Sequence, residues 1–121
     1  MQDNGTSVED LKKMVREFCG KRDWDQFHNP KDLAIGIETE ASELLQLFRF
    51  KDTNECIDMM KKAESRTAIC DELSDVLYFV LRFAQMNNID LSSALKEKLL
   101  KNNDKYPVEF SKGSNKKYSE L

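Results

Sequence analysis

At 121 residues, 40% apolar and 34% charged, the chain has the size of one globular domain and an ordered composition, which excludes a catalytic barrel and a wholly disordered polymer. A net charge of −3 argues against a protein whose main affinity is for nucleic-acid phosphates, so no stable nucleic-acid partner is expected. The longest apolar run, Val76 to Leu81, falls far short of the ~20 residues that span a bilayer, so no membrane association is expected. Met1 to Glu9 holds no basic stretch followed by an apolar one, so a cytoplasmic location is expected. Ser7 and Asp10 resemble a capping box that opens a helix over about Val8 to Arg22. Asn29-Pro30 supplies an N-cap and a pre-set first turn for a second helix over about Pro30 to Phe50. A shorter amphipathic piece follows from Asn54 to about Ala63, and a long third helix from Ser65 to Met86 ends at Asn87-Asn88. Asp90 caps a last helix from Leu91 to about Lys105, which Pro107 stops. The prediction is therefore an all-α bundle of four to five helices over residues 1–107, with residues 108–121 as a loose tail.

The two central helices carry more apolar surface than a lone bundle can cover. Ala34, Ile37, Ala41, Leu44, Leu45 and Phe48 form one stripe on the second helix, with Ile35 and Leu47 outside it. On the third, Ile69, Leu73, Val76, Leu77, Val80, Phe83 and Ala84 form the stripe, with Tyr78 and Leu81 off it. Helices apolar on more than one side need more than one packing partner, so a homodimer or homotetramer is expected. Cys19, Cys56 and Cys70 form no CxxC pair and read as reduced thiols rather than a disulfide frame.

Chemistry is suggested by two acidic pairs, Glu40 with Glu43 and Glu72 with Asp75. Members of each are three residues apart and project to one side of a helix. The second pair flanks the apolar stripe, where an unpaired negative charge is costly to bury. A hard divalent cation with oxygen ligands, Mg²⁺ above all, would suit four acids without histidine. The plainer alternative is a solvated acidic face. His28 is the sole histidine, so a di-iron site built on repeated Glu-x-x-His is excluded, and there is neither a P-loop nor a nucleophile elbow. Metal-assisted hydrolysis is what remains.

The segments Phe27-His28-Asn29-Pro30, Glu40-Ala41-Ser42-Glu43, Phe48-Arg49-Phe50, Asp71-Glu72-Leu73-Ser74-Asp75 and Lys105-Tyr106-Pro107, in that order, resemble the MazG-like nucleoside triphosphate pyrophosphohydrolases, in particular their small dCTP pyrophosphatase branch. The resemblance covers roughly Trp24 to Pro107. It implies hydrolysis of a nucleoside triphosphate between the α and β phosphates, as in nucleotide-pool cleaning. By position, Glu40, Glu43, Glu72 and Asp75 would be Mg²⁺ ligands, with Glu40 or Glu43 as the base that activates water. His28 and Trp24 would help form the base pocket. Phe50 stands where relatives have tryptophan, and Phe79 where dCTP-hydrolysing relatives have tyrosine. Lys98, Asn102 and Tyr106 match residues that reach phosphates and sugar. Asp71 is a candidate supporting acid, and Glu38, on another side of its helix from Glu43, is expected in a salt bridge or interface. The competing reading is a non-catalytic helical oligomer acting as a regulatory or interaction module.

Overall fold

The computed structural model describes every residue from Met1 to Leu121 and contains helices and no strand. In chain order they are α1 (Val8–Gly20), α2 (Pro30–Gln46), α3 (Thr53–Met59), α4 (Ala63–Met86), α5 (Leu91–Lys105) and α6 (Val108–Ser111), with one-turn 3₁₀ segments at Asp3–Gly5, Asp25–Phe27 and Tyr118–Glu120. No helix is long and apolar enough to cross a membrane. The chain groups into two compact units, Met1–Asn88 and Ile89–Leu121. The helical domain expected over 1–107 takes in the first of these together with α5.

Local chemistry explains where the helices start. The Ser7 hydroxyl accepts from the Asp10 backbone N–H at 3.0 Å while the Asp10 carboxylate accepts from the Ser7 N–H at 3.0 Å, a reciprocal capping box. Asn29 caps α2 by accepting from the Asp32 N–H at 2.9 Å, with Pro30 in the first turn. Asp52 and Glu55 form a second capping box, which starts α3 at Thr53. Asp90 caps α5 through the Ser93 N–H at 3.0 Å.

Helix ends depart from the sequence expectation where tertiary geometry decides. Helix α2 stops at Gln46 instead of running to Phe50: Leu47, Phe48 and Arg49 tighten into bonds three residues back. Phe50 then takes φ = 64°, a left-handed conformation that ends any helix. Helix α1 likewise stops at Gly20, short of Arg22, and Asp23 takes φ = 54° to turn the chain toward Trp24. Beyond α6, Tyr118 lies edge-on to Tyr106 at 6.0 Å, with the Lys105 ammonium 5.0 Å from its ring centroid.

In the first unit, α4 packs on both α2 and α1. Cys19, Leu33, Ile69, Leu81 and Ala84 are the fully covered apolar side chains. Leu81, expected off the packing stripe, is buried, whereas Leu73 and Leu77, expected on it, are 55% and 46% exposed. A helical wheel gives angular position but not which stretch of a helix has a neighbour. The C-terminal half of α4 is covered within the chain, while Leu73 and Leu77 face a side with no partner in it.

The α2–α4 contact depends on one glycine. A Cβ on Gly36 would lie 2.5 Å from ring atoms of Phe79, so only glycine lets the ring close on the helix there. In an open helix, Gly→Ala stabilises by about 1 kcal/mol. Here the sign reverses, because an aromatic ring wedged between two helices cannot swing away as a flexible chain end can. Gly36→Ala is expected to lower the unfolding free energy by about 1–3 kcal/mol in a urea titration. A gain in stability would show that Phe79 repacks freely.

Candidate active site

Both acidic pairs meet across the α2–α4 contact. Glu40 and Glu43 come from α2 and Glu72 from α4, and one carboxylate oxygen from each lies within 4.8 Å of the others. Asp75, one turn on from Glu72, lines a cleft with Glu40, and its charge acts on both Glu40 and Glu72. Three of the four acids singled out in the sequence thus lie within ligand distance of one another and Asp75 adjoins them, with Glu43 and Asp75 toward solvent and Glu40 and Glu72 half-buried.

This cluster is electrostatically incomplete. The Oε2 atoms of Glu40 and Glu72 are buried with no hydrogen-bond partner. Partial desolvation, a hydrogen bond that the protonated Glu40 carboxyl donates to Glu43, and the charges of Glu43, Asp75 and Glu72 push the Glu40 pKa up to about 7. Glu72 is raised by the same kinds of cause, with Asp71 adding to the field. The charges acting on these two glutamates are all carboxylates. Unpaired oxygens from hard anionic donors are what a divalent cation with oxygen ligands requires, so the residues fit such an ion.

The raised Glu40 pKa has a thermodynamic sign. Between its unfolded value of 4.5 and about 7 in the fold, the folded chain binds more protons than the unfolded one. Its contribution to stability is full below the lower value and is lost as the pH rises through the upper one. In EDTA, the fall in melting temperature between about pH 5.5 and about pH 8 is therefore expected to be steeper for the wild type than for Glu40→Gln. Equal slopes for the two proteins would show that the cluster is not strained.

Beside the acids, Phe18, Trp24, Tyr78 and Phe79 join Glu40 and Asp75 around a cleft of about 320 Å³. The rings brace one another edge-on: Phe18 with Trp24 at 5.7 Å, Phe18 with Tyr78 at 6.0 Å, and Tyr78 with Phe79 at 5.0 Å. Tyr78, expected off the packing stripe of its helix, lines this cleft beside Phe79, with its hydroxyl 3.0 Å from the Cys19 sulfur. The correction follows from α1, whose Phe18 and Cys19 meet that side of α4 and draw Tyr78 inward. Burial and that contact push the Tyr78 hydroxyl pKa well above its ordinary value.

The other expected site residues fall in different places. Trp24 is on the cleft wall. His28 stands next to Trp24, ring centroids 6.3 Å apart, and its Nδ1 accepts from Arg82 Nε at 2.9 Å. Phe50 lies on the surface, 92% exposed, with the Arg49 guanidinium over its ring at 4.6 Å. Lys98 and Asn102 lie along α5 of the second unit, Lys98 exposed and Asn102 half-buried, and Tyr106, which caps the C-terminal end of α5, donates its N–H to the Asn102 carbonyl at 2.8 Å. Glu38 is exposed and forms no ion pair. Three residues with structural consequences are not singled out by the sequence: Gly36, Phe18 as cleft wall, and Arg82, which follows the apolar run Val76 to Leu81. A glycine in mid-helix and a cation inside an apolar run are the local signals that mark two of them.

Known proteins resemble this chain in sequence and fold. The MazG-like family model matches residues 35–121, which include all four acids. Two dCTP pyrophosphatase 1 proteins align over 115 residues, 95% of this chain and 68% of theirs. The Mus musculus protein is 36% identical and the Homo sapiens protein 35%. The crystal structure of a pyrophosphatase from Archaeoglobus fulgidus superposes with a TM-score of 0.76 at 33% identity, covering 83% of this chain and 92% of that one. With the family model matching most of the sequence and relatives more than 30% identical aligning over 95% of the chain, the chain belongs to the MazG-like family.

Proposed function

We propose that this protein is a Mg²⁺-dependent pyrophosphohydrolase that cleaves (deoxy)nucleoside triphosphates between the α and β phosphates, with dCTP as the first substrate to test and nucleotide-pool cleaning as its role. That it is a hydrolase of phosphoric anhydrides follows from its relatives, dCTP pyrophosphatase 1 and the archaeal pyrophosphatase, and this sets aside the non-catalytic reading. The observation that carries the proposal is the pair of buried, unpartnered oxygens, Glu40 Oε2 and Glu72 Oε2, on two members of a carboxylate cluster next to an aromatic cleft.

Glu40, Glu43, Glu72 and Asp75 would hold Mg²⁺, which neutralises phosphate charge that these carboxylates would otherwise repel. Trp24 and Phe79 offer apolar ring faces for a base, and Tyr78 and Phe18 brace them. A water oxygen bonds to the α phosphorus as the bond to the bridging oxygen breaks. Pyrophosphate leaves, and the water proton passes to Glu40 or Glu43. His28 belongs to the nucleoside side of the site through its neighbour Trp24. The roles of Phe50, Lys98, Asn102 and Tyr106 rest on the motif resemblance alone. Assembly as a homodimer or homotetramer is supported by the exposed Ile35, Leu45, Leu73 and Leu77 on the two site-bearing helices.

The test is a panel of ribo- and deoxyribonucleoside triphosphates with Mg²⁺, with products resolved as pyrophosphate or orthophosphate. Release of dCMP and pyrophosphate from dCTP, abolished by EDTA, is the expected result. Orthophosphate as the product, or no turnover of any triphosphate, would overturn the proposal.

A further inference from the structure

The geometry points to Arg82 as a positioning residue that holds His28 in its Nε2–H tautomer and thereby presents a neutral hydrogen-bond donor, next to Trp24, to the nucleoside end of the substrate. The inference rests on the nucleotide reading of the cleft and extends it to a residue outside the acid cluster.

Arg82 is fully buried, and its planar fork is used in three directions. Nη2 donates to Asp25 Oδ1, Nη1 donates to Gln85 Oε1 at 2.6 Å, and Nε donates to His28 Nδ1 at 2.9 Å. A guanidinium carries only donors and keeps its protons at any ordinary pH, so the nitrogen facing it must offer a lone pair. The neutral His28 ring therefore carries its proton on Nε2. Because Asp25 and Gln85 fix the other arms of the fork, the ring cannot exchange tautomers without breaking that bond. Burial first, and the adjacent guanidinium second, hold the His28 pKa below its ordinary value, against the opposing charge of Asp25.

The Nε2–H has no acceptor within the protein, the ring is only half-buried, and it sits edge-on to Trp24, whose ring forms the cleft wall. A neutral donor suits a carbonyl or sugar oxygen, whereas a phosphate would favour a cation. The position therefore matches the nucleoside rather than the triphosphate. Arg82 itself is buried behind the ring and acts through it.

His28 is the sole histidine, so its ring nitrogens give one unambiguous pair of signals in ¹⁵N-labelled protein. The expected spectrum at neutral pH is that of the Nε2–H tautomer, giving way to a tautomer mixture in Arg82→Met. Loss of one oriented neutral hydrogen bond is expected to raise KM for dCTP about tenfold in Arg82→Met with kcat within about twofold. In a His28→Ala background the same substitution should add nothing to KM. Arg82→Lys keeps charge and length but not the fork and carries the same expectation, so a Met variant that fails to fold does not protect the inference. A wild-type Nδ1–H tautomer, an unchanged KM in a folded Arg82 variant, or additive effects with His28→Ala would each overturn it. If the wild type turns over no triphosphate, the functional reading fails by itself, and the ring spectrum still decides what Arg82 does. If it turns over dCTP and the Arg82 variants share its KM, the Arg82 assignment fails alone.

Discussion

Glu72→Gln is expected to cut pyrophosphate release from dCTP by about 10²–10³-fold or more, since a ligand to a charge-neutralising cation is worth several kcal/mol at about 1.4 kcal/mol per decade of rate. The substitution keeps the shape of the side chain and removes its charge. In the metal-free protein that charge is a liability, because Glu72 Oε2 is buried without a partner and the surrounding charges are carboxylates. The same variant is therefore expected to melt at a higher temperature than the wild type in EDTA near neutral pH, a gain in stability coupled to a loss of activity. Asp75→Asn should lose activity in the same way. Glu38→Gln, on an exposed part of α2 outside the cluster, should retain it. Turnover of Glu72→Gln within about twofold of the wild type would remove the cluster from the chemistry altogether.

What could be read from the sequence was what physics makes local. Helix starts follow from caps that act within three residues, so Ser7 with Asp10, Asn29 with Pro30, and Asp90 mark the beginnings of α1, α2 and α5 correctly. The acid pairs were legible for a similar reason, since a spacing of three fixes each pair on one side of its own helix. That α2 and α4 bring the pairs together is a long-range fact, and it turns on Gly36, whose missing side chain admits Phe79. Less legible was anything decided by a distant neighbour. The left-handed Phe50 ends α2 four residues early although nothing in Leu47 to Phe50 disfavours a helix. Tyr78 turns toward the cleft because Cys19 and Phe18 of α1 receive it, a contact no periodicity within α4 encodes. Arg82 reads as the polar end of an apolar run, yet it is buried because residues more than fifty positions earlier supply two of its three acceptors.

Those acceptors set up the second large effect. Asp25→Ala is expected to lower the unfolding free energy by about 3–5 kcal/mol, although Asp25 itself is 64% exposed on its side chain. A mutual pair between exposed groups would be worth at most about 1 kcal/mol, and by that measure the substitution should be nearly silent. The asymmetry lies in what is left behind. With Asp25 gone, the fully buried Arg82 guanidinium keeps only two neutral acceptors, His28 Nδ1 and Gln85 Oε1, and its charge has no counter-ion. Arg82 has no route back to water without vacating its place among the packed helices, so the penalty falls on the fold. Removing the cation as well should relieve it: Asp25→Ala combined with Arg82→Met is expected to be more stable than Asp25→Ala alone, a sign opposite to that of two independent losses. Urea unfolding of the three variants checks both statements. A loss below about 1 kcal/mol for Asp25→Ala would mean that the guanidinium is hydrated in solution and needs no counter-ion from Asp25.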